Sequence, residues 1–304
     1  MRLPEIERGD GLLSRFLIRL ISLMSGMRLP DAARIVLYHK QFYGDPASAW
    51  THAAMRGDSA WTVGERELIA AMTAKWNACA FCIGAHSAIA ARVLGKPVVT
   101  SALEDFRQAK LSAKLRSTLA FLEILAMTPD ELTARDARSV LQAGITTEAL
   151  EDAIAVTTLF SITVRCADTF NFAMLDDKDF DRAAKRMLVQ GYALGRGKTP
   201  AHPDHRALAE VLRYHVLEGP GLTSPVLRQA MAERAAGGTP LEPLYDELAR
   251  QIGEATYKVM DEQVAKVLEK AGSEKAVFEL IVASAVGAGF YRWKRGLEIL
   301  EATH

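Results

Sequence analysis

"ERELIAAMTAKWNACAFCIGAHSAIAAR", residues 65–92, holds two of the three cysteines in a chain of 304 residues. Cys79 and Cys82 stand three apart, His86 follows Cys82 by four, and Glu67 precedes Cys79 by twelve. The stretch reads as two helices joined by a short turn. Thr62 can cap the first, with Glu65 three residues on in capping-box spacing. That helix runs to about Lys75, and Asn77, able to take the left-handed conformation, ends it. The second starts near Cys79 and ends at Gly95, with Pro97 as a stop. On it, Cys79, Cys82 and His86 share one face. His86 lies one turn beyond Cys82, close enough to exchange a proton with its thiol. Cys79 sits at the helix start, where free N–H groups and the positive end of the dipole favour a thiolate. The turn can return Glu67 to the cysteine pair, to orient His86 or pass protons through a water. A thiolate attacks a peroxide or a disulfide, and a neighbouring thiol can then close an internal disulfide.

Working outward, almost every segment carries helical periodicity, and strand alternation is lacking, so the fold class is all-α. Helices are expected over about 29–46 (stopped by Gly44–Asp45–Pro46), 103–127, 130–143, 147–174 and 178–194. "GRGKTPAHPD" (195–204) reads as a linker. Further helices follow near 205–217, 225–236, 241–257, 261–271 and 274–300. "ARSVLQAGITTEALEDAIA" (137–155) aligns without gaps to "AKVLEKAGSEKAVFELIVA" (265–283). Each is a helix, an Ala-Gly break and a longer apolar helix; the likeness is open to two readings, duplication or two ordinary helix pairs. The expected organisation is an N-terminal helical arm (1–30), a domain over 31–194, the linker, and a helical domain over 205–304 that is smaller and free of cysteine.

Lys plus Arg and Asp plus Glu number 37 each, so no global charge draws the chain to nucleic acid or anionic membrane. An odd, low cysteine count fits a reducing compartment and a cytoplasmic location, where a close pair is redox-active or metal-binding rather than structural. "GLLSRFLIRLISLMSG" (11–26) is apolar, but Arg15 and Arg19 interrupt it and a small-residue cleavage site is missing. Its apolar runs are too short to span a bilayer. It reads as an arm packing on its own protein or on a partner subunit, with a membrane-surface helix as the lesser reading.

Glu67, Cys79-x-x-Cys82 and His86 together resemble the signature of the alkylhydroperoxidase D-like family, within the wider carboxymuconolactone decarboxylase group. The likeness extends over roughly 31–175, including "AGITTEALEDAIAVTTLF" and the Arg165/Asp168 pair, which resemble the peroxidase-related branch. It implies an all-helical bundle that assembles into homo-oligomers. It also implies reduction of hydroperoxides by the cysteine pair, recharged by a dithiol such as a dihydrolipoyl adaptor, with no bound cofactor or metal. Under that pattern Cys82 attacks, Cys79 resolves, and Glu67 and His86 form the proton relay; the helix-dipole argument instead favours Cys79 as the more acidic thiol. Alkylhydroperoxidase D places a second histidine immediately before the second cysteine, where this chain has Phe81. The C-terminal "DEQVAKVLEKAGSEKAVFELIVASAVGAGF" looks like a cysteine-free relative of the same helical unit.

Competing readings attach to the same residues. Cys79, Cys82, His86 and Glu67 make four possible zinc ligands, but structural zinc sites commonly draw ligand pairs from separate segments and no second Cys/His pair is evident. A decarboxylase-type lyase would use His86 and Glu67 as acid and base and needs no second thiol. A redox-sensing interaction protein is the third alternative. Cys166 reads as a buried inert thiol, and Arg165 with Asp168 as an ion pair. His39 and His52 could reach the site, and "AHPDH" (201–205) reads as a solvated turn. "YRWKR" (291–295) reads as an amphipathic surface with buried aromatics.

Overall fold

A computed structural model describes residues 1–9, 11–192 and 202–303. Among the described residues there is no strand, and the all-α class holds. The helices are α1 (Pro4–Arg8), α2 (Gly11–Ser25), α3 (Asp31–Tyr38), α4 (Asp45–Arg56), α5 (Val63–Trp76), α6 (Ala80–Leu94), α7 (Lys96–Asp105) and α8 (Ala113–Met127). They continue as α9 (Ala134–Gln142), α10 (Thr147–Phe170), α11 (Asp177–Gln190), α12 (His205–Arg213), α13 (Pro225–Ala235), α14 (Pro243–Glu254), α15 (Asp261–Ala271) and α16 (Glu274–Glu301). Most of the expected linker lies outside the described residues.

The chain divides into two compact units. One comprises Thr51–Ser161, Phe180–His205 and Gly289–His304; the other comprises Met1–Trp50, Ile162–Asp179 and Arg206–Ala288. The centre of the first is the antiparallel pair α5–α6, against which α7 and α8 pack. Helix α5 is buried almost all round, from Arg66 to Ala74, as a helix enclosed by others must be. Arg66 is drawn into that interior because its guanidinium satisfies two carbonyls at the C-terminal end of α4, Ala54 O at 3.1 Å and Gly57 O at 2.9 Å. In the other unit, α13, α14 and α15 pack in succession, and residues 276–286 of α16 supply a core that includes Val277, Phe278 and Ile281. The most apolar windows of α10 and α16 are long enough to cross a membrane, yet each is 89% buried inside the protein, as core helices are.

Proline explains where the helix boundaries depart from expectation. Pro46 does not stop a helix. A π-helical turn at Lys40–Gly44 follows α3, and Pro46 then sits in the first turn of α4, where its missing N–H costs nothing. Pro97 likewise opens α7 rather than only closing α6, while Gly95 at φ +89° makes the break between them. The single helix expected over 103–127 is two, because Ser112 caps α8 by accepting the Leu115 N–H at 3.2 Å.

The succession α8, a 3₁₀ turn at Pro129–Glu131, α9 and α10 is followed later by α14, a 3₁₀ turn at Thr256–Lys258, α15 and α16. Gly144 and Gly272 both take positive φ at the matching break. Arg66 and Arg228 each lie four residues after a capping Thr62 or Ser224, and each is buried and bonded to backbone carbonyls.

Candidate functional site

Thr62 and Glu65 form the expected capping box and fix the start of α5. The turn into α6 differs from expectation at one residue. Asn77 has φ −90°, its side chain donating to Thr73 O at 2.8 Å, and Ala78 takes the left-handed conformation at φ +58°. Asn77 is held by its hydrogen bond to the preceding turn, so the positive φ falls on the next residue. Cys79 then stands at the N-cap of α6 with no side-chain capping bond, and Cys82 lies in the first helical turn. The two are 0% and 1% exposed.

The tight return brings α5 and α6 side by side and places Glu67 against His86. Glu67 Oε2 and His86 Nδ1 are 2.8 Å apart, and Glu67 has no exposed surface. A carboxylate at that distance keeps a proton on Nδ1 and leaves Nε2 as the basic nitrogen. Phe160 of α10 meets the His86 ring edge-on with centroids 4.3 Å apart, which limits its rotation. Phe81, where the alkylhydroperoxidase pattern has a second histidine, packs on Phe180 at 5.9 Å and is 8% exposed.

Two further residues complete the cluster, and sequence reasoning found neither. Arg56, at the end of α4, donates to Glu67 Oε1 at 2.8 Å. Tyr192, just past α11, places its hydroxyl 2.9 and 3.0 Å from the two Glu67 oxygens and 3.4 Å from His86 Nδ1. The Arg56 guanidinium lies over the Tyr192 ring at 5.0 Å. The one available signal was an aromatic beside Gly191 at a helix end that otherwise runs into polar linker; Arg56 had none.

Burial works to raise the pKa of Glu67, but the hydrogen bond and charge of His86 with the charge of Arg56 outweigh it, so the carboxyl sits below its ordinary value. Burial first, and the Glu67 charge second, push the Tyr192 phenol well above its ordinary value. His52 Nδ1 accepts the Tyr192 backbone N–H at 3.2 Å. Burial, then the Arg56 charge, lower its pKa.

The other singled-out residues fall elsewhere. His39 belongs to the other unit, where its Nε2 is 3.2 Å from Glu279. His205 is not in a solvated turn: it is 2% exposed and its Nε2 lies 3.0 Å from Asp152 Oδ1, while His202 is exposed as expected. Cys166 is fully buried and shares a hydrogen bond with Tyr43. Arg165 donates to Gly253 O at 3.0 Å, and Asp168 accepts from Thr256 at 2.9 Å. In "YRWKR" Trp293 is buried and Lys294 exposed as expected, but Arg292 is buried as well, donating to Ala126 O at 2.8 Å, and Tyr291 is half-buried, so the stretch is not a plain amphipathic surface. Among the described residues, no three His, Cys, Asp or Glu side chains converge as a metal-ligand group.

No protein-family model matches the chain, and no curated protein matches it. Among solved structures, it is similar to an uncharacterized peroxidase-related protein from Silicibacter sp. TM1040, with 22% identity over 58% of this chain and 92% of that one, at a TM-score of 0.50. It is also similar to an uncharacterized peroxidase-related protein from Ralstonia eutropha JMP134, described as an alkylhydroperoxidase AhpD core. That likeness has 26% identity over 56% of this chain and 88% of that one, at a TM-score of 0.47. The likeness to the Silicibacter protein is one of fold: the two chains share an all-helical architecture over 58% of this one.

Proposed function

We propose that the protein is a thiol-dependent oxidoreductase that reduces hydroperoxides through Cys79 and Cys82, with His86 and Glu67 moving the protons. The observation that carries this reading is the placement of Cys82 in the first turn of α6, one turn before an imidazole whose Nδ1 is held by Glu67 at 2.8 Å. His86 Nε2 is the base in register to receive the Cys82 proton as the thiol attacks. The thiolate attacks the terminal peroxide oxygen. The O–O bond breaks, the alkoxide leaves with a proton as alcohol, and Cys82 becomes a sulfenic acid. The Cys79 sulfur then attacks Cys82, water departs, and a disulfide forms. Two thiols and one hydroperoxide thus yield a disulfide, an alcohol and water, and an external dithiol such as a dihydrolipoyl group restores the pair by exchange.

This reading assigns attack to Cys82 rather than Cys79. Both lie at the positive end of the α6 dipole, but only Cys82 is a single turn from His86. The apolar seat of Phe81 leaves one histidine in the relay. His86 and Arg56 hold the Glu67 pKa below its ordinary value, so the relay starts with its carboxylate as acceptor and Nδ1 as donor. The test is turnover: hydroperoxide consumption at the expense of added dihydrolipoamide, saturating in hydroperoxide, and lost in Cys82→Ser and in Cys79→Ser. Consumption that survives both substitutions would remove the cysteines from the reaction and return the site to acid–base chemistry by His86 and Glu67.

A further inference from the structure

Helix α2 turns two different faces outward and inward. Ile18 is 7% exposed, and Ser22 Oγ accepts the Leu29 N–H at 3.1 Å, so that side rests on its own unit. Phe16, Leu20 and Leu23 stand at i, i+4 and i+7 and form the opposite face, exposed by 61%, 38% and 81%. Arg15 and Arg19 are exposed along its border. Between Asp10 and Asp31 the sequence has three arginines and no acid. Beside the helix lies a crevice of about 500 Å³ lined by Arg8, Arg15, Arg19 and Arg34, with Glu7 as the one acidic side chain among the described residues that line it. Arg34 is itself 7% exposed and is held in place by Leu29 O at 2.8 Å and Glu7 O.

An apolar ridge edged by guanidinium groups suits the boundary between phosphate headgroups and acyl chains, where arginines keep their charge in the headgroup layer while the ridge leaves water. Guanidinium also pairs with phosphate oxygens in a fixed two-point geometry. We propose that α2 docks this protein on an anionic phospholipid surface. Phe16, Leu20 and Leu23 enter the acyl boundary, and Arg15, Arg19 and the crevice receive phosphate headgroups. A second copy fits the face less well. A two-fold contact brings the same patch of each chain together, setting Arg15 and Arg19 near their own counterparts with no acid in α2 to neutralise them. The proposal is independent of the thiol chemistry.

The test is co-sedimentation of the full chain with phosphatidylcholine vesicles, and with mixed phosphatidylcholine and phosphatidylglycerol vesicles, at low and high sodium chloride. The expected result is binding to the mixed vesicles that weakens with salt. The pairs Phe16→Glu with Leu23→Glu, and Arg15→Glu with Arg19→Glu, each lower partitioning by about tenfold or more while circular dichroism is unchanged. Equal binding to neutral vesicles overturns the electrostatic half of the proposal, and no binding to either composition overturns it entirely. Light scattering that shows a dimer dissociated by the Phe16 and Leu23 pair, without vesicle binding, would give the face to a second copy instead.

Discussion

Glu67 is the residue on which the site turns. It has no exposed surface, and burial works to raise its pKa, yet His86 and Arg56 hold it below its ordinary value, while the Tyr192 hydroxyl hydrogen-bonds it. Removing its charge leaves the Arg56 guanidinium, whose side chain is 9% exposed, without compensation. Glu67→Gln is therefore expected to lower stability by about 3 kcal/mol in urea unfolding, because breaking a buried pair from one side strands the other charge. It also frees the His86 ring to choose the wrong tautomer, with a loss of about a hundredfold in hydroperoxide reduction. The motif residues of this site were legible because their spacing is local: Cys82 and His86 share a helix, and Glu67 returns across one short turn. Arg56 and Tyr192 were not, because they reach Glu67 from 11 and 125 residues away and no periodicity connects them.

The α5–α6 pair depends on a return that is tight at Ala78. A non-glycine residue at φ +58° brings Cβ close to the following carbonyl. Replacing Ala78 by Gly is expected to stabilise the protein by about 1 kcal/mol, read as a higher urea midpoint with an unchanged slope. An unchanged or lower midpoint would mean that the methyl group earns its place by packing. Most elements were foreseeable, since capping residues such as Thr62 and periodic apolar runs act within one segment. Pro46 and Pro97 were read as stops because proline both ends and begins helices, and only the chain around it decides which. The break at Ser112 was missed for a similar reason: a serine inside an apolar-periodic stretch looks like a tolerated surface residue until its cap forms.

Across the whole molecule, the groups with depressed pKa values set the response to acid. Glu67, Glu279 and His52 all sit below their ordinary values in the folded chain. Each binds protons more readily when unfolded, so stability rises with pH wherever they titrate. For His52 the contribution is present above its unfolded value of 6.5 and is lost as pH falls through its folded one; for the two carboxyls the loss begins below 4.5. The thermal midpoint should fall in two stages on acidification, and His52→Asn should remove the upper stage; a midpoint that rises from pH 7 to 5 would contradict this. The two units are interleaved along the chain: sequence composition marks linkers, whereas α10 and α16 each contribute residues to both units without any break in helical pattern. The order helix, 3₁₀ turn, helix and long helix occurs twice along the chain, although few side chains are shared between the two stretches. The central claim is that Cys79 and Cys82 act as one two-electron couple. Its most direct measurement is the number of titratable thiols, counted in denaturant before and after one equivalent of organic hydroperoxide: two are lost together and recovered with a dithiol if the claim is right, whereas an unchanged count, or loss of a single thiol from the native sequence, contradicts it.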